Sequence, residues 1–387
     1  MDSLFTLGGH MRSIGTAFLV TLATVTAAAQ TPPAGGAAAP PPPASADTKS
    51  PITFGAFIDT YYAWDFNQPP AFDRAYTTQP ARHAEFNVNL AFAEVKLDEP
   101  NVRGRLAVQY GTSVQANYAG EPQIGHVSGP SVSQYIQEAT IGYHIAPALW
   151  IDGGVFFAHT GSEGWISRDN LAYSRSLIAD FSPYYEAGVK LTWAASPKLT
   201  AQFLVLNGWQ NVSNYNTPPA GGIRLDYAAS PQLTLSYDNF FGDVAADRTP
   251  AKYRLYHDII AQLTPSSRWL LAATFSLGTQ SRSAPDGTTA TWYGFSAVAK
   301  YQVSPQVSLV ARVERYSDPD QVIVITGLSD AFRANGASLG VDVKLLSRLF
   351  WRTEARGFRS SARVWPLHNG DFGRNDAFMV TSLGLTI

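Results

Sequence analysis

The sequence predicts an all-β protein, a transmembrane antiparallel up-and-down β-barrel of about 16 strands. Segments of about nine to thirteen residues alternate apolar and polar positions, as tilted membrane strands do. Short connections between them alternate with long ones. Aromatic residues make up 12% of the chain and charged residues only 15%, whereas an average soluble domain has about 25% charged residues. These observations together favour a sheet with one apolar and one polar face.

The composition also excludes several classes of protein. Beyond the N-terminal segment no apolar run reaches the length of about 18 residues that a membrane helix needs, and the mean hydropathy is −0.08. The formal net charge of −2 without a basic cluster argues against a nucleic-acid partner. The chain has no cysteine, which excludes thiol catalysis and cysteine-ligated metals. Its seven histidines are scattered, so we predict no metal site and no cofactor.

The N-terminus has the pattern of an exported protein. Arg12, an apolar run and the small residues Ala27 and Ala29 fit a secretory signal peptide over residues 1–29, with Met11 as an alternative start. A buried N-terminal helix is the competing interpretation. Residues 30–50 are rich in proline and alanine and predict a disordered periplasmic linker. Residues 51–387 are then left for the barrel.

Sixteen strands are predicted from the alternation of side chains. They cover residues 52–66, 85–98, 103–118, 134–145, 149–160, 183–194, 198–209, 221–229, 232–242, 253–264, 268–280, 291–303, 306–317, 334–346, 349–360 and 376–387. In strand 85–98 the alternation slips by one residue, which predicts a bulge near Ala93.

The connections sort into two kinds. Short ones often carry proline, as at Ala146-Pro147, Ser230-Pro231 and Thr264-Pro265, whereas the long polar ones include 67–84, 119–133, 161–182, 318–333 and 361–375. Bacterial outer-membrane barrels have short periplasmic turns and long extracellular loops. The alternation therefore predicts both chain termini on the periplasmic side. Seven tryptophans near strand ends predict an interfacial girdle: Trp64, Trp150, Trp193, Trp209, Trp269, Trp292 and Trp351.

The charged face of the strands predicts the pore lining. Arg or Lys facing lipid at mid-bilayer costs about 2–4 kcal/mol, so we place these charges in the lumen. The predicted lining residues are Arg105, Lys190, Arg224, Arg312, Arg352 and Arg356. The wall is either a solvated, internally neutralised surface or a basic wall that includes Arg315 and Lys344 and creates a transverse field opposite an acidic loop.

Loop 161–182 is the predicted constriction. Its apolar residues, among them Trp165 and Ile178, would be covered if the segment folded into the barrel mouth. The charged residues then available to face the lumen are Glu163, Arg168, Asp169, Arg175 and Asp180. The alternative is a surface loop packed against its neighbours.

Several segments carry a family resemblance. They are ITFGAFIDTYY at 52–62, QEA at 137–139, YSRS at 173–176, SPYYEAGV at 182–189 and VLNGW at 205–209. With these segments the chain resembles the OmpL-like family of outer-membrane β-barrel porins over most of residues 52–387. The resemblance implies an outer-membrane channel and implies nothing about its substrate.

We therefore expect a passive porin for small hydrophilic solutes or ions in the outer membrane of a Gram-negative bacterium, surrounded by lipid and either monomeric or homotrimeric. We expect no enzymatic activity and predict no catalytic residue. The alternatives are a barrel enzyme of the lipase or protease type and a non-conducting structural or adhesive barrel. Ser338 lies in a G-x-S-x-G pattern, but the pattern opens an alternating strand instead of a strand-to-helix turn.

Overall fold

A computed structural model of the chain describes residues 50–246 and 248–387. These residues form a closed antiparallel barrel of 16 strands, which confirms the predicted fold class. The predicted signal peptide and all but the last residue of the proline- and alanine-rich segment lie outside the described residues.

Each barrel strand is hydrogen-bonded to its neighbours along the chain, and the last strand closes on the first. Ile58 lies opposite Leu385 in the closing pair. The barrel strands are β1 (Ile52–Asp65), β2 (Phe86–Asp98), β3 (Val102–Tyr110), β4 (Ile136–Ala146), β5 (Leu149–Phe157), β6 (Tyr185–Ser196), β7 (Leu199–Leu206), β8 (Ala220–Ser230), β9 (Leu233–Asp243), β10 (Tyr253–Ser266), β11 (Trp269–Gln280), β12 (Ala290–Gln302), β13 (Val307–Asp318), β14 (Phe332–Lys344), β15 (Leu349–Ser360) and β18 (Asn375–Thr386).

The remaining elements lie in the long connections. They are the helices α1 (Thr112–Tyr118), α2 (Pro130–Ser133) and α3 (Leu177–Asp180), a 3-10 turn (Ser167–Asp169) and a small ladder of β16 (Trp365–Pro366) with β17 (Phe372–Gly373). Short turns occupy one end of the barrel and all the long connections occupy the other, as predicted. None of the helices in the described ranges has the length and apolarity needed to span a membrane.

The outer and inner faces of the wall follow the predicted alternation. Leu339 is 70% exposed, Ile259 61% and Val313 56%, and they form part of the apolar outer surface. Arg312, the chain neighbour of Val313, is only 2% exposed and points inward. Side chains two residues apart on a strand share a face, so the charged set lies inside the barrel.

Two local predictions were wrong. The strand predicted over 103–118 ends at Tyr110, and α1 follows it. Gly111 has φ of +145°, and a Cβ there would collide with the carbonyl oxygen of Asn89. The chain therefore leaves the sheet at a glycine that no other residue could replace without strain.

The bulge on β2 lies at Asn89 instead of near Ala93. Asp59 is paired with Leu90 and the next residue, Thr60, with Val88, so Asn89 is the extra residue. The slip turns Leu90, Phe92 and Glu94 inward, where Leu90 and Phe92 join a buried apolar cluster and Glu94 pairs with Arg105.

Two clusters of packed side chains fill much of the barrel interior, and one of them lies next to the long connections. One buried cluster joins inward strand residues to the loops and includes Trp292, Tyr316, Phe332 and Trp365; the second includes Phe57, Leu90, Phe92, Tyr118 and Trp165. The predicted girdle is thus only partly correct: Trp64, Trp193, Trp269 and Trp351 lie on the outer surface, but Trp292 is fully buried inside.

Candidate functional site

The connection between β5 and β6, residues 158–184, folds into the lumen and is called the inserted loop here. It contains the 3-10 turn and α3, and Ser176 caps α3 by accepting from the N–H of Ala179 at 3.3 Å. Trp165 and Leu177 are 1% exposed and Ile178 is 3% exposed. Burial of these apolar side chains removes them from water, which explains why the loop leaves the surface.

Three arginines of the barrel wall bind the main chain of the inserted loop. Arg312 on β13 donates to the carbonyl oxygen of Ser174 at 2.8 Å. On β15, Arg352 donates to the carbonyl oxygen of Ser167 at 2.6 Å, and Arg356 donates to that of Arg175 at 2.6 Å. All three side chains are at most 3% exposed, so they anchor the loop and present little surface to water.

Two glutamates of the same wall complete this contact. Glu354 accepts from Arg312 at 2.9 Å and from the N–H of Ser174 at 2.7 Å. Glu314 accepts from Arg356 at 2.6 Å and from the N–H of Leu177 at 2.7 Å. Buried charges are tolerated when they are paired and hydrogen-bonded. The wall under the loop is therefore internally neutralised.

The predicted basic wall is divided in the structure. Arg315 lies on the outward-facing phase of β13, where it contacts the Tyr293 hydroxyl at 3.3 Å. Lys344 is exposed at the end of β14, next to the short turn that leads to β15. Arg315 points away from the lumen, and Lys344 shares a cavity with Arg168, a basic residue of the inserted loop. The expected field between a bare basic wall and an acidic loop is therefore not the arrangement found.

The other end of the inserted loop is held by the opposite wall. Arg224 on β8 donates to the carbonyl oxygens of His159 at 2.7 Å and Gly161 at 3.0 Å. Asp238 on β9 accepts from the N–H of Gly161 at 3.2 Å. The loop is thus tied to β8 and β9 at its start and to β13 and β15 further along, so it crosses the lumen.

Two of the predicted loop charges organise the loop itself. Arg175 is fully buried and donates to the carbonyl oxygens of Gly164 and Trp165, each at 2.6 Å. Glu163 accepts from the N–H of Ser176 at 3.1 Å and lies 3.5 Å from Arg312. Both charges are therefore satisfied by hydrogen bonds or an ion pair within the protein.

Asp180 connects the inserted loop to the loop between β1 and β2. It accepts from the N–H of Thr78 at 3.0 Å and from the Thr78 hydroxyl at 2.7 Å. Asp180 lies outside the strands, and its burial raises the pKa of its carboxyl group to about 6.

The remaining predicted residues do face the lumen. Arg168 and Asp169 have side chains 26% and 58% exposed on the inserted loop. On the wall, Arg105 pairs with Glu94 at 2.6 Å and also with Glu138, and Lys190 lies 4.6 Å above the ring of Phe156. These side chains point into the barrel, and their role in lining a pore stays a prediction.

Open space lies beside the inserted loop. A cavity of about 250 Å³ separates Glu163, Asp169 and Leu171 from β9–β12, whose lining is mostly neutral and includes Thr234, Gln262, Thr264, Thr274 and Ser296. A second cavity, of about 340 Å³, lies among the long loops with Arg254 at its inner edge. Arg254 lies 4.8 Å from the ring centroid of Trp209 and 5.6 Å from that of Trp292.

The wall between these two cavities holds buried polar atoms. Asp238 and Asp258 are directly opposite across β9 and β10, and both are 0% exposed. One oxygen of Asp238 and both oxygens of Asp258 accept no hydrogen bond from the described residues. Buried side chains, among them Tyr256 on β10 and Trp292 on β12, fill the space along this stretch of the wall.

Sequence patterns did not predict that several acidic side chains of the wall anchor the inserted loop. Asp59 on β1 accepts from the Ser167 hydroxyl at 2.7 Å and the Tyr173 hydroxyl at 3.3 Å. Asp59, Glu314 and Glu354 all point inward from the strands, but no local signal identifies a partner more than 100 residues away in the chain. Ser338 lies within β14, paired with Arg312 and Arg356 across the sheet. Among the described residues no three His, Asp or Glu side chains form a metal-binding group.

Solved structures share this architecture at low sequence identity. An anion-selective porin from Comamonas acidovorans has a TM-score of 0.57 at 10% identity, covering 87% of this chain and 99% of that one. The outer membrane channel DcaP of Acinetobacter baumannii has a TM-score of 0.57 at 11% identity, covering 87% and 97%. OprB of Pseudomonas putida has a TM-score of 0.58 at 12% identity, covering 87% and 94%. Such similarity shows the fold.

No curated protein matches the sequence. One family model does match, over residues 51–387, which is nearly the whole of the described barrel. Its description is "Putative beta-barrel porin-2, OmpL-like". The chain belongs to this family of outer-membrane porins.

Proposed function

We propose that the protein is a passive porin for small hydrophilic solutes and ions, and that its inserted loop sets the size of the passage. The observation that carries this proposal is the attachment of the loop to two opposite walls, by Arg224 and Asp238 on one side and by Arg312 and Arg356 on the other. A segment held in this way occupies the lumen permanently and leaves solutes the space beside it.

The polar lining of that space supports diffusion. Gln262, Thr264 and Thr274 line the cavity beside the loop and offer hydrogen bonds without a fixed charge. Transport through such a lining depends on pore size and charge and requires no chemical step. Membership of a porin family supports a channel without enzymatic activity. It also supports a location in the outer membrane of a Gram-negative bacterium. The pattern of residues 1–29 supports export by a cleaved signal peptide.

A barrel with a blocked lumen is the second candidate. It is favoured by the aromatic packing in the extracellular half, where the rings of Phe332 and Trp365 lie 6.1 Å apart and those of Tyr76 and Phe332 lie 4.8 Å apart. A structural or adhesive protein would keep this packing closed at all times, whereas a porin must open a path past it.

Planar-bilayer recording separates the two candidates. The wild-type protein should show discrete conductance steps, and replacement of residues 164–180 by a short Gly/Ser linker should raise single-channel conductance because the crossing segment is removed. As a control, the same type of linker should replace residues 284–287, which lie in the exposed connection between β11 and β12. A folded wild-type protein without conductance would establish the blocked barrel, and equal conductance of the two loop variants would remove the inserted loop as the constriction.

A homotrimer is the oligomer that we propose. OmpT of Vibrio cholerae, described in a trimer form, has a TM-score of 0.52 at 9% identity and covers 87% of this chain and 99% of that one. In the present barrel β3, β5 and β7 have 9, 9 and 8 residues, whereas β10 has 14. The side of the barrel with these shorter strands exposes Ile141 and Tyr143. We expect this side to pack against the neighbouring chains of the trimer. Light scattering in detergent should give the mass of three chains, and the mass of one chain would contradict the trimer.

A further inference from the structure

A cationic cavity lies at the periplasmic end of the lumen. It has a volume of about 290 Å³ and is bounded by the ends of β12–β15, by the inserted loop and by Thr386. Five basic side chains and a single carboxylate, that of Asp342, are among its lining residues; the basic ones are Arg168, Lys300, Lys344, Arg348 and Arg352.

The single carboxylate is already paired with two cations. One oxygen of Asp342 accepts from Lys300 at 2.6 Å, and the other accepts from Arg352 at 2.7 Å. Arg352 also donates to the carbonyl oxygens of the inserted loop. The single negative charge of Asp342 is thus shared by two cations, Lys300 and Arg352, and does not balance the other three basic side chains of the cavity.

Lys344 and Arg348 supply the unbalanced charge. Both are exposed, and neither forms an ion pair within residues 50–246 and 248–387. They face the same cavity as Lys300, so three or more positive charges act on the same space. A cleft lined by one sign of charge between low-dielectric walls concentrates ions of the opposite sign.

Arg168 brings a cation from the loop to the opposite edge of the cavity. Its guanidinium lies 5.0 Å above the ring of Phe57, and one nitrogen donates to the Thr386 hydroxyl at 3.1 Å. The ring of Phe57 stacks on Phe350 at 6.1 Å, with an angle of 15° between the planes. The aromatic pair holds Arg168 in place. The planar guanidinium of Arg168 presents N–H donors in a geometry that matches an oxyanion.

We infer that this cavity is an anion site, which takes solutes carrying a phosphate or carboxylate group and makes the channel selective for anions. The inference rests on the proposed porin function and adds the class of solute to it. Fixed donors on Arg168 and on the wall can reach two sides of one oxyanion, while Lys344 and Arg348 attract it from the periplasm. The neighbouring cavity along β9–β12 lacks such an excess of cations, so the selectivity resides at this end.

Charge reversal with a matched control tests the inference in the full-length protein. The test variant is K344E/R348E, and the control is K198E/R268E, which changes the same residue types in exposed periplasmic turns outside the cavity. In a KCl gradient the reversal potential of the wild type should favour chloride. The test variant should lower the chloride-to-potassium permeability ratio by at least about threefold, and the control should stay close to the wild type. Cation preference of the wild type, or equal effects of the two variants, would overturn the inference.

Binding of inorganic phosphate provides a readout that does not need conduction. Titration of the detergent-folded protein, followed by phosphorus NMR line broadening, should show binding to the wild type and to K198E/R268E but not to K344E/R348E. Phosphate binding without conductance would refute the porin function and leave the anion site standing. Absence of phosphate binding to the wild type, or identical binding by both variants, would refute the anion site. If the wild type conducts in that case, the porin function still stands.

Discussion

Arg312 on β13 and Glu354 on β15 form an ion pair of 2.9 Å across the intervening strand, and the inserted loop covers both side chains. Their exposed fractions are 0% and 2%. Ser174 of the loop bonds to both partners, accepting from Arg312 and donating its N–H to Glu354. The position of the loop and the neutrality of the wall therefore depend on each other.

We expect Arg312→Ala to destabilise the barrel by about 3–5 kcal/mol, because it leaves Glu354 buried without its charge partner. The variant should also expose the inserted loop to protease. Arg315→Ala is the matched control, since Arg315 lies on the same strand but is exposed on the outer face, and it should change stability by less than about 0.5 kcal/mol. Urea unfolding of the vesicle-embedded protein measures both. Similar losses for the two variants would show that the ion pair does not hold the loop.

Two positions on β10 test the assignment of the faces. Ile259 is 61% exposed on the outer surface, and Gln262 lines the cavity beside the inserted loop. Ile259→Arg should reduce assembly because the charge meets hydrocarbon at a cost of about 2–4 kcal/mol. Gln262→Arg should assemble normally because its charge meets water. The fraction of heat-modifiable folded protein in the outer membrane gives the answer, and equal yields would contradict the face assignment.

Trp292 should control the path between the two cavities beside β9–β12. It is fully buried, with Arg254 positioned 5.6 Å from its ring. Trp292→Ala should increase single-channel conductance because it removes a large side chain from the buried cluster that lies between the two cavities. Trp269→Ala, on the outer face of the adjacent strand, should leave conductance unchanged. An unchanged conductance of the Trp292 variant would place the path elsewhere.

Asp180 should make the stability of the protein depend on pH. Burial raises the pKa of this carboxyl group from 3.8 to about 6, so the folded state favours the protonated form. The stabilisation is complete below about pH 3.8 and is lost as the pH rises through 6. As the pH rises between these two values, ionisation of this group should lower the free energy of unfolding by up to about 3 kcal/mol.

Asp180→Asn should abolish that part of the decrease because the amide oxygen still accepts from Thr78 without gaining charge. Asp169→Asn is the control, since Asp169 is on the same loop and its side chain is 58% exposed. Unfolding by urea at pH 4 and pH 7 compares the variants. A wild-type decrease that survives in Asp180→Asn would assign the pH dependence to another group.

The barrel could be predicted from the sequence because strand periodicity and loop length are local signals. All 16 strands were found, and the inward phase of Arg312, Arg352 and Arg356 was correct. The sequence did not predict that the chain leaves the sheet at Gly111. Residues 112–118 continue the alternating pattern of a strand, although they form α1. Helix formation there depends on burial of Val114 and Tyr118 against Trp165, which is distant in sequence.

The burial of the inserted loop was predicted in outline, and the contacts of its charged residues were missed. Apolar residues such as Trp165 correctly indicated that residues 161–182 would be covered. Arg175, in contrast, was expected to face the lumen, but it donates to the carbonyl oxygens of its own loop. Periodicity gives the direction of a side chain on a strand, and it gives no direction within an irregular segment.

The bonds from the wall arginines to the inserted loop end mostly on main-chain carbonyl oxygens, at Ser167, Ser174 and Arg175. Every amino acid supplies the same acceptor, so these anchors place few demands on the identity of the side chains that they hold. Evolution can exchange the loop residues beside the open passage, such as Asp169 or Leu171, while the loop keeps its position. A lineage of such porins could acquire new solute preferences by substitution in a single loop, with the barrel wall unchanged.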